Sequence, residues 1–415
     1  MEKNYKSIGL SGDFELLIGS SKACGIRLTP TEVPSITPKQ AILKRVRDRL
    51  FIKDLTSTAG IFINDHRLPK KKWVEIIPIP SQPNEIKLGQ TPIGIDAQLF
   101  RGRSRVGIAT TPLYYSIAGK LICNGAYLRA QPGTITAIMG AAGCGKSTLL
   151  DLVSGYRLPN RGQVWVNKHH EFIPVHQQYG QVREWLGYLP QDDVMIPELT
   201  VYQSLDYCLR LQFIHLETEI RDHLIRQTAQ SLGFQEEQRL EKFLHTVIGS
   251  VQAGIRGLSG GERKRANLAH ELIAMPLILL LDEPTSGLSS VDADNIMELL
   301  QRLTKQQELT TIITIHQPSR DTFNHRFDNL LLMNQEGSLT YYGPSQQATS
   351  YFQKITATEA RDRNPAEYLL EILTDSNYNQ KITHAFAQDR SNPEFADFIA
   401  PLPESLQYSV AAPVI

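Results

Sequence analysis

The sequence predicts two unlike folds in one chain: a small all-β domain over residues 1–100, then an α/β domain with a largely parallel sheet. Three observations carry this. Short alternating runs (FELLIG, AILKRV, LFIKDL, IFIND), broken by turn residues, fill the first hundred positions in the manner of half-buried strands. From about Tyr114 onward, β-type apolar runs alternate with helical periodicity, the pattern of strands joined by crossover helices. Within that second part, TITAIMGAAGCGKSTLLDLVSG reads as apolar strand, glycine loop and helix.

The order along the chain follows from these signals. Residues 101–112, opening with the basic RGRSRVG, are expected to be a linker. The α/β domain is expected over 113–345, with a mostly helical subdomain at about 192–275. Residues 346–415 form a tail, helical through QATSYFQKI and NPAEYLLEILTDS and then proline-containing.

Composition bounds the function. At 415 residues the chain has room for two or three cores. Lysine plus arginine (43) balance aspartate plus glutamate (43), so no electrostatic footprint points to nucleic acid or an anionic membrane. Cys24, Cys123, Cys144 and Cys208 lie far apart with no CxxC spacing, which favours reduced thiols over disulfides or a metal cage. The start, MEKNYKSIGLSGDF, lacks the apolar core of a signal peptide. The longest apolar run, Leu272–Leu281, is about half of the ~20 residues a bilayer requires.

GAAGCGKS, Gly140 to Ser147, fits G-x-x-x-x-G-K-[ST]. Its glycines let the backbone N–H groups of Gly140, Ala141, Ala142, Gly143, Cys144 and Gly145 converge on phosphates, and the helix entered at Lys146, Ser147 and Thr148 adds its dipole. Lys146 is expected to reach the β- and γ-phosphates of ATP, and the Ser147 hydroxyl to ligate Mg²⁺. A plain glycine turn would share the pattern, but the apolar strand before it and the helix after it favour the phosphate cradle. LILLLDEPTSG then ends a buried-type strand in two acids, Asp282 to hold Mg²⁺ and Glu283 to orient or deprotonate the attacking water. Gln191 in GYLPQDD is a neutral acceptor suited to sensing Mg²⁺ and water, LSGGERKR follows, and His316 ends the β-rich TIITIHQPS. His169 and His170 are adjacent on a polar loop, point apart and earn no metal assignment.

Five motifs in this order resemble the nucleotide-binding domain of the ATP-binding cassette (ABC) family. GYLPQDDVMIPELTVYQSLDYCLRL, LSGGERKRANLAHELI and NPAEYLLEIL resemble its ABCG (White-type) branch, and the similarity covers roughly residues 113–375. The resemblance implies Mg²⁺-dependent ATP hydrolysis with Glu283, His316 and Gln191 as catalytic residues. It also implies that LSGGE serves the facing copy of a head-to-tail dimer: Ser259 and the N–H groups of Gly260 and Gly261 cap the other domain's γ-phosphate. An aromatic is expected on adenine about 25 residues before the loop, with Tyr115 favoured over Tyr114. Where the family has aspartate in the D-loop, this chain has Ser289. Glu262, Arg263, Lys264 and Arg265 read as a solvated or intramolecularly paired helix face.

LLIGSSKACGIRL, ITPKQA, FIKDLTSTAGIFIND and EIKLG, about residues 8–97, resemble a forkhead-associated (FHA) domain, a β-sandwich reader of phosphothreonine. Gly19, Asp54, Leu55, Ser57, Gly60 and Asn64 keep its scaffold. Its chemistry departs: Ser20 follows Gly19 where the family has arginine, Thr37 matches the phosphate-binding serine, Gln40 the histidine and Ala59 the asparagine. Losing the arginine and the asparagine removes a fixed cation and an amide from the peptide pocket. Thr37 and Lys39 remain as candidate phosphate contacts, and both a phosphothreonine protein and a phosphate-independent partner stay open.

The resemblances together imply the ATPase part of an exporter at the cytoplasmic face of a membrane. Its partners would be a second nucleotide-binding domain, in a homodimer or heterodimer, and a membrane-spanning permease on a separate or missing segment. No nucleic acid is expected. The alternative is a soluble ABC ATPase with an FHA adaptor, but such proteins carry two cassettes or a long coiled-coil insert, and neither is visible in the sequence.

Overall fold

The computed structural model of the protein describes residues 14–47, 49–55, 60–63, 65–76, 86–93, 105–168, 171–213, 216–250, 254–358 and 363–389. The chain divides into two compact units, Met1–Ser104 with Leu216–His223, and Arg105–His215 with Leu224–Ile415. The sequence features at Ser57, Ala59, Asn64, His169 and His170, and those beyond Asp389, lie outside the described residues.

In the first unit a five-stranded sheet runs Ile26–Arg27, Phe14–Gly19, Ala41–Val46, Arg49–Asp54 and Trp73–Ile76. A four-stranded sheet runs His66–Arg67, Ile61–Ile63, Ile86–Leu88 and Thr91–Ile93. Period-two alternation decides which side chains turn inward: Ala41 and Leu43 are fully buried, whereas Ile42 and Lys44 between and beside them are less so. Ile18, Leu43 and Ile52 from one sheet meet Ile61, Ile86 and Leu88 from the other in a single core. This is the all-β domain that the alternating runs predicted, in the sandwich form that the FHA resemblance implied.

The second unit is built on a six-stranded sheet in the order Leu186–Leu189, Ile278–Asp282, Thr310–Thr314, Ile135–Gly140, Asn329–Met333, Leu339–Pro344. All neighbours pair parallel except the last two strands. Ile135–Gly140 and Ile278–Asp282 are buried along their whole length, which is why they read as unbroken apolar runs rather than alternating ones. Val106–Thr110 joins Arg129–Ala130, Val164–Lys168 and Glu171–Pro174 in a second sheet. That strand corrects the linker expected over 101–112. Val106 is fully buried and the strand pairs in register with Val164–Lys168, so the second unit's core begins here, behind a basic stretch that hid it.

Eleven helices follow in chain order among the described residues: α1 Lys146–Ser154, α2 Tyr179–Val182, α3 Val201–Gln212, α4 Thr218–Ser231, α5 Glu237–His245, α6 Gly260–Leu272, α7 Ser290–Gln307, α8 Arg320–His325, α9 Ser345–Thr356, α10 Pro365–Thr374 and α11 Ser376–Asp389. Their starts follow from capping chemistry. Thr200 with Gln203 and Ser259 with Glu262 form reciprocal capping boxes on α3 and α6. Ser289, Ser319 and Asn364 cap α7, α8 and α10, the last with Pro365 at its first turn. Among the described residues no helix is long and apolar enough to cross a membrane, and all four cysteines are free thiols.

Candidate active site

The parallel sheet brings the carboxyl ends of its strands to one edge, where α/β sheets bind ligands. The strand Ile135–Gly140 runs straight into the glycine loop and α1. Gly145 takes φ 100°, and a Cβ there would stand 2.6 Å from the Ile122 carbonyl oxygen, so only glycine closes this turn. At Gly140 a Cβ would stand 2.5 Å from the Met333 carbonyl oxygen of the adjacent strand. α1 starts at Lys146 with no side-chain cap and no acid in its first turn, which leaves its N-terminal N–H groups and dipole to an anion. Ala142, Gly143 and Ser147 are exposed along this cradle, and Cys144 is buried beneath it, its thiol pushed up by burial.

Lys146 is only 6% exposed, and its ammonium donates to the carbonyls of Gly140 (3.0 Å) and Ala141 (3.1 Å). The side chain thus curls over the loop it belongs to, where phosphate oxygens would take over its donors. The Ser147 hydroxyl donates to Asp282 Oδ1 at 3.1 Å across 135 residues of sequence. Thr314 donates to the same Asp282 oxygen and accepts from the Glu283 backbone N–H at 2.9 Å. Gln191 Nε2 donates to Glu283 Oε2 at 3.0 Å. Loop lysine, serine, two acids and glutamine therefore lie at one place. A hydroxyl and a carboxylate 3.1 Å apart, next to an unobstructed helix N-terminus, fit Mg²⁺ bound with nucleotide phosphates. His316 follows two residues after Thr314, half-buried at the same sheet edge.

The signature segment LSGGE leads into α6. Ser259 and Gly260 are exposed at the start of α6, and the Ser259 hydroxyl is engaged by Glu262 of its own helix at 2.8 Å. Among the described residues no hydrogen bond joins Ser259, Gly260 or Gly261 to Lys146, Asp282 or Glu283. Ser289 is the N-cap of α7, accepting from the Asp292 N–H at 3.2 Å and donating to Asp292 Oδ2 at 2.7 Å. Serine in the D-loop position thereby keeps the helix start while giving up a charge. Tyr115 packs against the core beside Arg157, whose guanidinium donates to Asp151 at 2.7 Å. Tyr114 lies under the Arg161 guanidinium, 5.7 Å from ring centroid to cation.

Sequence reasoning missed three contributors. Thr314 fixes both acids, yet a threonine inside an apolar β run carries no signal of that. Arg263 pairs with Asp193, two residues past Gln191, and Lys264 is buried (8% exposed) facing Asp193, Asp282, Glu283 and Asp192. Of the two readings of these charges, pairing within the chain describes Arg263, and burial describes Lys264. In the first unit, Thr37 donates from N and Oγ1 to Gln40 Oε1 at 3.1 and 2.8 Å, and Gln40 is 1% exposed with Nε2 unpartnered. Lys39 is exposed beside it, and Arg27 reaches the Ser20 carbonyl at 3.4 Å.

Deeper in the second unit, burial raises the Glu271 carboxyl to about 7 while it accepts the Tyr188 N–H at 2.9 Å. The same burial, with Asp151 hydrogen-bonded to it, pushes the Tyr188 phenol well above its ordinary value. These groups pack α6 against the strand that leads to Gln191.

Comparison with known proteins agrees with both units. The ABC transporter family model matches residues 123–286, the FHA domain model residues 16–79, and an ABC-2 type transporter model residues 316–389. The chain is 38% identical over 273 residues to ABC transporter G family member 22 of Arabidopsis thaliana, covering 65% of this chain and 34% of that protein. The ABC-type transporter claG of Penicillium crustosum gives 38% over 273 residues, 65% of this chain and 34% of its own. ABC transporter G family member 1 of Dictyostelium discoideum gives 34% over 245 residues, 59% and 29%. The chain spans about a third of the length of these relatives. The FHA and ABC transporter models thus match the two units in turn, and the relatives reported are ABC transporters, two of them of the G family. The residues matched by the ABC-2 model form α8 to α11 and the last two strands of the central sheet, none of them a membrane-crossing helix.

Proposed function

We propose that this chain is the ATP-hydrolysing part of a G-family-like ABC exporter, working as a head-to-tail pair on the cytoplasmic face of a membrane. Lys146 and the α1 N-terminus bind the phosphates. Ser147, Asp282 and Gln191 would hold Mg²⁺, which when bound neutralises phosphate charge and orients the γ-phosphate. Glu283 orients and deprotonates the attacking water, His316 contacts the γ-phosphate from the neighbouring strand, and Tyr115 is the adenine contact. Ser259, Gly260 and Gly261 cap the nucleotide of the facing copy: the exposure of Ser259 and Gly260, and the lack among the described residues of any bond from the three to the chain's own loop, support this. The FHA unit serves docking or regulation.

One observation carries the transport reading. The segment that touches the catalytic carboxylate also presents apolar side chains to water. Gln191 bonds Glu283 at 3.0 Å, and just beyond it Val194 and Ile196 are 79% and 57% exposed. On α3, Tyr207 and Leu211, one turn apart, are 51% and 83% exposed, while Val201 and Leu205 form the subdomain core. Bare apolar side chains of this size next to a chemical trigger suit a helix of a membrane permease. Cysteine cross-linking from Tyr207→Cys or Val194→Cys in native membranes should capture an integral membrane protein. Capture of soluble proteins alone from both positions would replace the exporter with a soluble ABC ATPase bearing an FHA adaptor.

A further inference from the structure

Arg263 sits one turn into α6, its N–H bonded to the Ser259 carbonyl at 2.8 Å. Its guanidinium pairs with Asp193 and also donates to the carbonyls of Ile248 (3.2 Å) and Gly249. Asp193 is fixed in turn by the Met195 N–H at 3.1 Å. Two residues before Asp193, Gln191 donates to Glu283. One side chain thus ties three pieces of backbone together: the start of the signature helix, the loop that leads into it, and the loop whose glutamine touches the catalytic acid. A planar, multidentate cation does this with little freedom to slip, unlike the point charge of lysine.

We propose that Arg263 is a positioning residue that transmits the state of the signature helix to the Gln191–Glu283 contact of the same chain. Engagement of Ser259 by the facing copy's nucleotide moves the first turn of α6. Arg263 carries that movement to Asp193, and Asp193 to Gln191 and the carboxylate it holds. The chain's own hydrolysis is thereby set by whether it is capping its partner's ATP. Buried Lys264, next in sequence and facing the same acids, gives the contact its electrostatic background. This inference rests on the paired-site reading above.

The full-length protein tests it. Arg263→Ala and Asp193→Ala should each lower kcat about tenfold and bring the Hill coefficient for ATP from near two to about one, with nucleotide affinity unchanged. Arg263→Lys should restore part of kcat. The double substitution should be no worse than either single one, because both break one link. Equal activity and cooperativity in Arg263→Ala, or multiplied losses in the double variant, would overturn the relay. A purely structural role would lower the unfolding temperature and recover in Arg263→Lys without any change in Hill coefficient, which also overturns it. ATP-driven dimerisation in a Glu283→Gln background separates the two layers. No dimer in that background defeats the paired-site reading itself and the relay with it. A dimer with cooperativity unmoved by Arg263→Ala defeats the relay alone.

Discussion

The two units of this chain keep their folds equally well and their chemistry unequally. In the second unit the groups proposed to hydrolyse ATP meet at one sheet edge, and several bond to one another: Ser147 to Asp282, Thr314 to Asp282, Gln191 to Glu283. In the first unit the sandwich core is closed, but the Gly-Arg position carries Ser20, and the Thr37 hydroxyl is spent on Gln40. Scaffold residues answer to packing, which any partner requires. Pocket residues answer to one ligand, so a single replacement such as Ser20 after Gly19 removes a contact without disturbing the core. Convergence of lysine, hydroxyl and acid groups at one sheet edge is thus the better guide to chemistry than fold.

The sharpest way to break this contrast is at Lys146. Lys146→Ala removes a charge-assisted phosphate contact worth roughly 1.5–3 kcal/mol, so ATP affinity should fall about ten- to a hundredfold. Equilibrium titration with a fluorescent ATP analogue reads it. Affinity unchanged within twofold would mean that the curled ammonium seen on the Gly140 and Ala141 carbonyls never turns to phosphate.

The weaker effect is expected in the FHA unit. Phosphothreonine peptides should bind the full chain no more tightly than about millimolar, since among the described residues no hydrogen bond joins a cation to Thr37 and a single exposed charge pair contributes about 1 kcal/mol or less. Fluorescence polarisation with a degenerate phosphopeptide library measures it. Micromolar binding lost in both Thr37→Ala and Arg27→Ala would mean that Arg27 has replaced the arginine missing after Gly19 and that this pocket still reads phosphate.

How much of this was legible in the sequence depends on the kind of interaction. The phosphate loop and the DE pair are local, so their spacing alone identifies them. The two folds followed from periodicity, two residues in the sandwich and buried apolar runs in the parallel sheet. Val106–Thr110 was missed because a strand's membership is decided by its partner, here Val164–Lys168, and the basic stretch before it suggested a tether. Thr314 and Arg263 act across 32 and 70 residues of sequence through contacts that no local pattern encodes. The exposed positions on α3 were not legible: the apolar run offers Val201, Leu205 and Tyr207 alike, and only the packing shows that the first two are covered while Tyr207 and Leu211 are not.

The central claim is that the cluster around Glu283 hydrolyses ATP. Phosphate release from Mg²⁺-ATP by the full-length protein, compared with Glu283→Gln under saturating nucleotide, tests it most directly. The variant should bind ATP as tightly as the native chain while turnover falls by about a hundredfold or more, because the water loses its orienting carboxylate although an amide oxygen can still accept from Gln191. Native turnover in Glu283→Gln would contradict the account and move the chemistry away from this acid.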